Sequence, residues 1–216
     1  NTGSVRRSGE FARLFNGIES IMKTIKVGMI GFGTIGAGVA KILSENSEII
    51  KKRLGAGVEL VKVADLDITT DRGVKLAPDV LTTSAEEVIN HPEINVLIEL
   101  IGGYEPARKF LLQAIEQGKH VVTANKALLA KHGDELFSAV AEKGVSIGFE
   151  ASIGGAIPIV RSIREAFVAN NIQFIERELL LEIIQLTIIM ALIQIIIIFP
   201  SLIFILSHLI LFQSGA

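Results

Sequence analysis

The sequence predicts an α/β fold built on a doubly wound parallel sheet, and three observations carry that prediction. Apolar runs of strand length alternate with stretches of helical character from Ile25 to about Ile172, the order that gives a parallel sheet with helices on its faces. The first run, Ile25 to Ile30, delivers Gly31-Phe-Gly-Thr-Ile-Gly36, and an apolar helix-like stretch from Ala37 to Leu43 follows at once. Turn and cap signals separate the later runs, where such a sheet needs its connections.

The elements follow in order. Val58 to Ala64 reads as a second strand ending at Asp65. Ser84-Ala-Glu-Glu87 is a capping box, in which hydroxyl and carboxylate each satisfy an orphan N–H at a helix start. Asn95 to Leu100 is a strand of the buried type. Pro106 suits the first position of a helix, Phe110 to Ile115 supply its apolar face, and Gly118 suits the position just past its end. His120 to Ala124 is the next strand, Asp134 to Lys143 a helix closed by Gly144, and Val145 to Phe149 a further strand. Pro158 to Phe167 reads as an amphipathic helix after a Gly-rich turn.

Strand, glycine turn and helix together make the G-x-G-x-x-G dinucleotide fingerprint in its required context, and the fold is therefore of the Rossmann type. Gly31 permits the sharp turn, Gly33 lets a pyrophosphate approach the backbone, and Gly36 lets the helix sit close to the strand. Backbone N–H groups of Phe32, Thr34 and Ile35, with the Thr34 hydroxyl, are candidates to meet the diphosphate or a ribose. A helix cap is an equally compatible role for Thr34. Asp65, closing the second strand, can accept hydrogen bonds from the adenosine ribose and repel a 2′-phosphate, which favours NAD over NADP. A solvated loop aspartate is the alternative. Gly102 and Gly103 follow the third long strand, where a backbone without side chains can lie against the nicotinamide ribose; a plain turn is the other reading. Lys126 follows the strand from His120, at the carboxyl edge where open α/β sheets bind ligands.

Composition narrows the function further. A net charge of −2 over 216 residues leaves no basic stripe for nucleic acid. The absence of cysteine excludes disulfides, thiolate catalysis and Cys-based metal sites. His91, His120, His132 and His208 show no ligand spacing. Both ends differ from the middle. Residues 1–22 read as a disordered leader, a tag or an upstream extension; Arg6, Arg7 and Arg13 also allow a mitochondrial-type presequence. Residues 173–216 form an apolar tail of helical character, without Asp, Glu, Lys or Arg from Ile183 onward and with Pro200 inside it. By length it reads as a membrane span. Its Pro200 and its scarcity of small residues favour instead a shifted frame or an unspliced segment.

Four motifs make the reading specific. Gly31-Phe-Gly-Thr-Ile-Gly-Ala-Gly-Val39, Glu99-Leu-Ile-Gly-Gly-Tyr-Glu-Pro-Ala107, Val121-Val-Thr-Ala-Asn-Lys126-Ala and Phe149-Glu-Ala-Ser-Ile-Gly-Gly-Ala-Ile-Pro158 occur in that order. Together they closely resemble the nucleotide-binding half of homoserine dehydrogenase, over residues 23–172. The resemblance implies reversible hydride transfer between NAD or NADP and the homoserine/aspartate-semialdehyde pair, in a cytoplasmic, homodimeric enzyme of amino-acid biosynthesis. It makes Lys126 a catalytic ammonium that hydrogen-bonds the substrate oxygen. It also implies a monovalent cation such as sodium, held by the Glu150 carboxylate and the carbonyls of Ile153, Gly155 and Ile157. From the residues alone, that Gly-rich loop is a flexible linker.

The chain departs from the family after Ile172. A second catalytic lysine and acids for the substrate amine are expected there; Glu176, Glu178 and Glu182 beside Arg177 read as a solvated helical face. The chain by itself is accordingly expected to show little dehydrogenase activity. The competing readings are a nucleotide-binding module anchored to a membrane by its tail, and an inactive fragment.

Overall fold

The structure, a computed structural model, describes residues 24–153 and 159–166. Six parallel strands form one sheet: β1 Ile25–Ile30, β2 Val58–Ala64, β3 Leu81–Thr82, β4 Val96–Glu99, β5 His120–Thr123 and β6 Ile147–Gly148. Their spatial order is β3-β2-β1-β4-β5-β6. The chain thus winds outward from β1 to β3, returns beside β1 as β4, and winds outward the other way. That reversal between β1 and β4 opens a crevice at the carboxyl ends of the strands.

Helices cover both faces: α1 Thr34–Glu45, α2 Ser47–Leu54, α3 Ala85–Ile89, α4 Ala107–Glu116 and α5 Lys126–Lys143, followed by the short α6 Glu150–Ile153 and α7 Ile159–Arg161. Successive strand residues point to opposite faces. Val27, Met29, Val96, Ile98 and Val122 join Val39, Ala40, Leu43 and Leu54 in one core. Leu97 and Val121 join Val88, Leu111, Ile115, Leu128 and Leu136 in the other. Burial on both faces is why the central strands read as unbroken apolar runs rather than alternating ones.

Several elements differ from the sequence expectation. The two-residue β3 and the charged α2 carry too little apolar periodicity to be predicted. Helix α5 begins at Lys126 rather than Asp134, because Asn125 caps it: its Oδ1 accepts the Leu128 N–H at 3.1 Å. A non-helical His132 (φ −127°, ψ 16°) kinks this helix next to Gly133, which masked its continuity. The expected strand Val145 to Phe149 shrinks to Ile147–Gly148, since the chain turns into α6 at Glu150. The Ser84 hydroxyl accepts the Glu87 N–H at 3.3 Å, but the reciprocal half of the capping box is not made. The Ser84 N–H goes to Thr82 Oγ1, and the Glu87 carboxylate pairs with Lys62 at 3.4 Å. Pro106 occupies the cap of α4 instead of its first turn. Gly118 and Gly144 do close α4 and α5, with φ of 74° and 66°.

Of the expected helix Pro158 to Phe167, residues 159–161 are α-helical and Ser162–Ala166 form a wider π turn. The leader 1–22, the tail 173–216 and residues Gly155, Ile157, Pro158 and Phe167 lie outside the described residues. Among the described residues, no helix is long and apolar enough to cross a membrane.

Candidate functional site

The glycine turn lies at the switch point. Gly31 has φ 103°, and a Cβ there would stand 2.7 Å from the Leu100 carbonyl carbon. The turn after β1 and the loop after β4 therefore touch backbone to backbone. A Cβ on Gly36 would come 2.1 Å from the Gly31 carbonyl oxygen, so helix and turn are equally close. Gly33 is the opposite case: nothing lies within 4 Å of its missing Cβ. Two glycines thus serve packing, while the third leaves an open face on the turn.

Helix α1 starts at Thr34 with Gly33 as its cap and no acidic side chain in its first turn. First-turn N–H groups have no intrahelical acceptor, and the helix dipole favours an anion there. Thr34 is exposed and makes no side-chain cap at this end. Phe32 corrects the sequence reading. Its N–H donates to Asp65 Oδ2 at 2.5 Å, and its side chain is buried in the core, so this amide is engaged within the protein.

Asp65 stands one residue beyond β2, half-buried, with its second oxygen accepting the Asp67 N–H at 2.9 Å. Asp67 in turn organises the loop that follows. Hydrogen bonds from Thr70 and Thr69 hold its carboxyl well below the usual carboxylate range, and it pairs with Arg72 at 3.3 Å. A cavity of about 330 Å³ is lined by Thr34, Ala37, Gly38 and Lys41 of α1 and by Asp71, Arg72 and Val74 of this loop.

Across the crevice, Gly102 and Gly103 follow β4 with φ of 72° and 73°, both exposed. Lys126 is exposed at the first position of α5, directly after β5. The two loops are joined, because Asn125 Nδ2 donates to the Gly103 carbonyl at 2.6 Å. Sequence reasoning passed over Asn125, Thr123 and Glu99, which are all buried at this edge. The available signal was a single acid closing the apolar strand Val96-Leu-Ile-Glu99.

Glu150 is 2 % exposed at the start of α6, and its Oε1 accepts the Val160 N–H at 2.7 Å. Ile153 ends the same short helix and is exposed. Among the described residues, no group of three or more His, Cys, Asp or Glu is arranged to hold a metal ion.

Sheet order, glycine turn and an acid closing β2 define a Rossmann-type dinucleotide-binding domain. Residues 31–150 match the family model described as homoserine dehydrogenase, NAD binding domain. The chain is 45% identical over 154 residues to homoserine dehydrogenase of Pseudomonas aeruginosa, covering 71% of this chain and 35% of that protein. With the Bacillus subtilis homoserine dehydrogenase it shares 42% identity over 151 residues, 70% of this chain and 35% of that one. The crystal structure of a homoserine dehydrogenase from Thiobacillus denitrificans superposes with a TM-score of 0.64 at 46% identity, over 69% of this chain and 34% of that chain. The chain belongs to the homoserine dehydrogenase NAD-binding domain family. It spans about a third of the length of the relatives it matches.

Proposed function

We propose that this chain supplies the nicotinamide-cofactor half of a dehydrogenase interconverting L-homoserine and L-aspartate 4-semialdehyde. The observation that carries the reading is the junction of three motifs at one sheet edge: the Gly31 turn against Leu100, and Gly103 tied to Asn125 beside Lys126. The open face at Gly33 fits a diphosphate, which the free end of α1 would hold through the N–H groups of Thr34 and Ile35. Gly36 keeps that helix end close to the strand. Gly102 and Gly103 line the side toward the nicotinamide ribose. When bound, the dinucleotide accepts or returns the hydride. The Lys126 ammonium hydrogen-bonds the substrate oxygen and steadies charge that develops on it.

The preferred cofactor in this reading is NAD. A carboxylate at Asp65 suits two ribose hydroxyls and repels a 2′-phosphate. A monovalent cation at Glu150, with main-chain oxygens of Ile153, Gly155 and Ile157, belongs to the same proposal. Its support is the burial of the Glu150 carboxylate, since hard cations take oxygen ligands.

A domain exchange tests the reading. Residues 23–172 replace the corresponding segment of the Pseudomonas aeruginosa relative, and homoserine-dependent reduction of NAD is followed. The exchanged enzyme is expected to turn over, and Lys126→Ala to lower kcat and kcat/KM together while the cofactor KM stays within about threefold. Turnover in the Lys126→Ala enzyme equal to its parent would return that lysine to the solvated surface.

A further inference from the structure

The geometry points to Glu99 as a positioning residue that fixes the Gly102–Gly103 loop and the Lys126 helix start to one another, and thereby sets the nicotinamide end of the site. The inference rests on the cofactor reading above.

Glu99 is the last residue of β4 and is wholly buried. A carboxylate in that position is costly unless its oxygens are hydrogen-bonded. Here both are. Oε1 accepts the N–H groups of Ile101 at 2.9 Å and Gly102 at 3.1 Å, which curls the loop back over the strand end. Oε2 accepts the Thr123 hydroxyl from the neighbouring strand at 2.6 Å. That hydroxyl has one proton, committed to Glu99, so its lone pairs are left to accept the Asn125 N–H at 2.9 Å. Asn125 then donates from Nδ2 to the Gly103 carbonyl and accepts the Leu128 N–H at Oδ1.

The bonds close a ring: Glu99, Gly102, Gly103, Asn125, Thr123 and back to Glu99. Lys126 is the next residue along the chain. Ser152 joins from α6 by donating to the Thr123 carbonyl at 2.8 Å. One buried acid therefore links three of the four family-like motifs. An apolar side chain would fill the same volume in β4 at less desolvation cost, but it would leave two loop amides and a buried hydroxyl without an acceptor. The loop could then no longer hold its place, and small displacements at such a site cost large factors in function.

The test separates local positioning from general support of the fold. The full chain and its variants are titrated with NADH, followed by the fluorescence of the reduced nicotinamide, and with ADP by calorimetry. ADP fills the adenosine and diphosphate region and lacks the ribose and base of the nicotinamide end. The parent is expected to bind NADH more tightly than ADP. Glu99→Ala should weaken NADH at least tenfold and leave ADP within twofold. Glu99→Gln, which keeps an acceptor for Ile101 and Gly102, should recover most of the loss. If Glu99→Ala fails to fold, Thr123→Val decides, because it is close in shape and removes the hydroxyl that links Glu99 to Asn125; it should show the same selective loss, of threefold or more. Equal losses for both ligands, or no loss for either, overturn the proposal while leaving the cofactor reading intact. A folded parent that binds neither ligand overturns both.

Discussion

Asp65 at the end of β2 accepts the main-chain N–H of Phe32 in the glycine turn after β1, at 2.5 Å. The residue expected to meet the adenosine ribose is thus also the one that holds the phosphate turn. The two roles separate in Asp65→Asn, which keeps an acceptor oxygen for Phe32, loses the charge and gives up only the bond from the Asp67 N–H. That variant should melt within a few degrees of its parent. Its NAD-to-NADP affinity ratio should fall about tenfold, the scale of one removed repulsion of ~1.4 kcal/mol. Calorimetric titration with both dinucleotides checks it; an unchanged ratio would mean that Asp65 does not face the 2′ position.

The glycine turn makes a second, internally controlled prediction. Gly36→Ala drives a Cβ to 2.1 Å from the Gly31 carbonyl oxygen, backbone that has nowhere to move. It should destabilise the domain by at least about 2 kcal/mol, read as a drop in urea midpoint. Gly33→Ala meets nothing within 4 Å and should unfold at the parent's midpoint. It should nevertheless bind NAD at least tenfold more weakly, because the methyl stands on the face proposed for the diphosphate. Loss of stability in Gly33→Ala, or undiminished binding, would contradict the division of labour among these glycines.

Much of this was legible in the sequence, for physical reasons. Buried parallel strands leave apolar runs, so β1, β4 and β5 could be read directly, and β2, only partly buried and carrying Glu59 and Lys62, still keeps five apolar residues of seven. Positive-φ closures left glycines at 118 and 144. What escaped was decided by contacts between segments far apart in the chain. The N–H of Phe32 is engaged by an acid 33 residues away, and no local pattern encodes that pairing. Glu99 and Thr123 meet only because β4 and β5 pair Glu99 with Thr123 in register. Helix α5 was read short because Gly133 and the kink at His132 interrupt its periodicity, whereas Asn125 would have signalled its true start.

Acid should weaken the β5–β6 edge. Burial pushes the His120 imidazole below its ordinary value of 6.5, and its Nδ1 accepts the Ser146 N–H at 3.1 Å. Protonation removes that acceptor. Below pH 6.5 the unfolded chain binds the proton more readily than the folded one, so stability falls as pH drops from there through the lowered folded value. The carboxyls of Asp67 and Glu135, also held low, contribute separately, in the lower window below their ordinary values of 3.8 and 4.5. His120→Asn, which keeps an acceptor without a titrating ring, should flatten the upper window alone. Denaturation midpoints from pH 7.5 to 5 test this, and an unaltered slope in the variant would assign the effect elsewhere.

The most direct test of the central claim, that a nicotinamide dinucleotide seats on the Gly31–Gly36 turn, is a calorimetric titration of the folded chain with NAD, its fold verified by circular dichroism in the same buffer. Saturable one-to-one binding at submillimolar concentration is expected, competed by ADP-ribose and weakened by Gly33→Ala. Folded protein that takes up neither NAD nor NADP at millimolar concentration would contradict it.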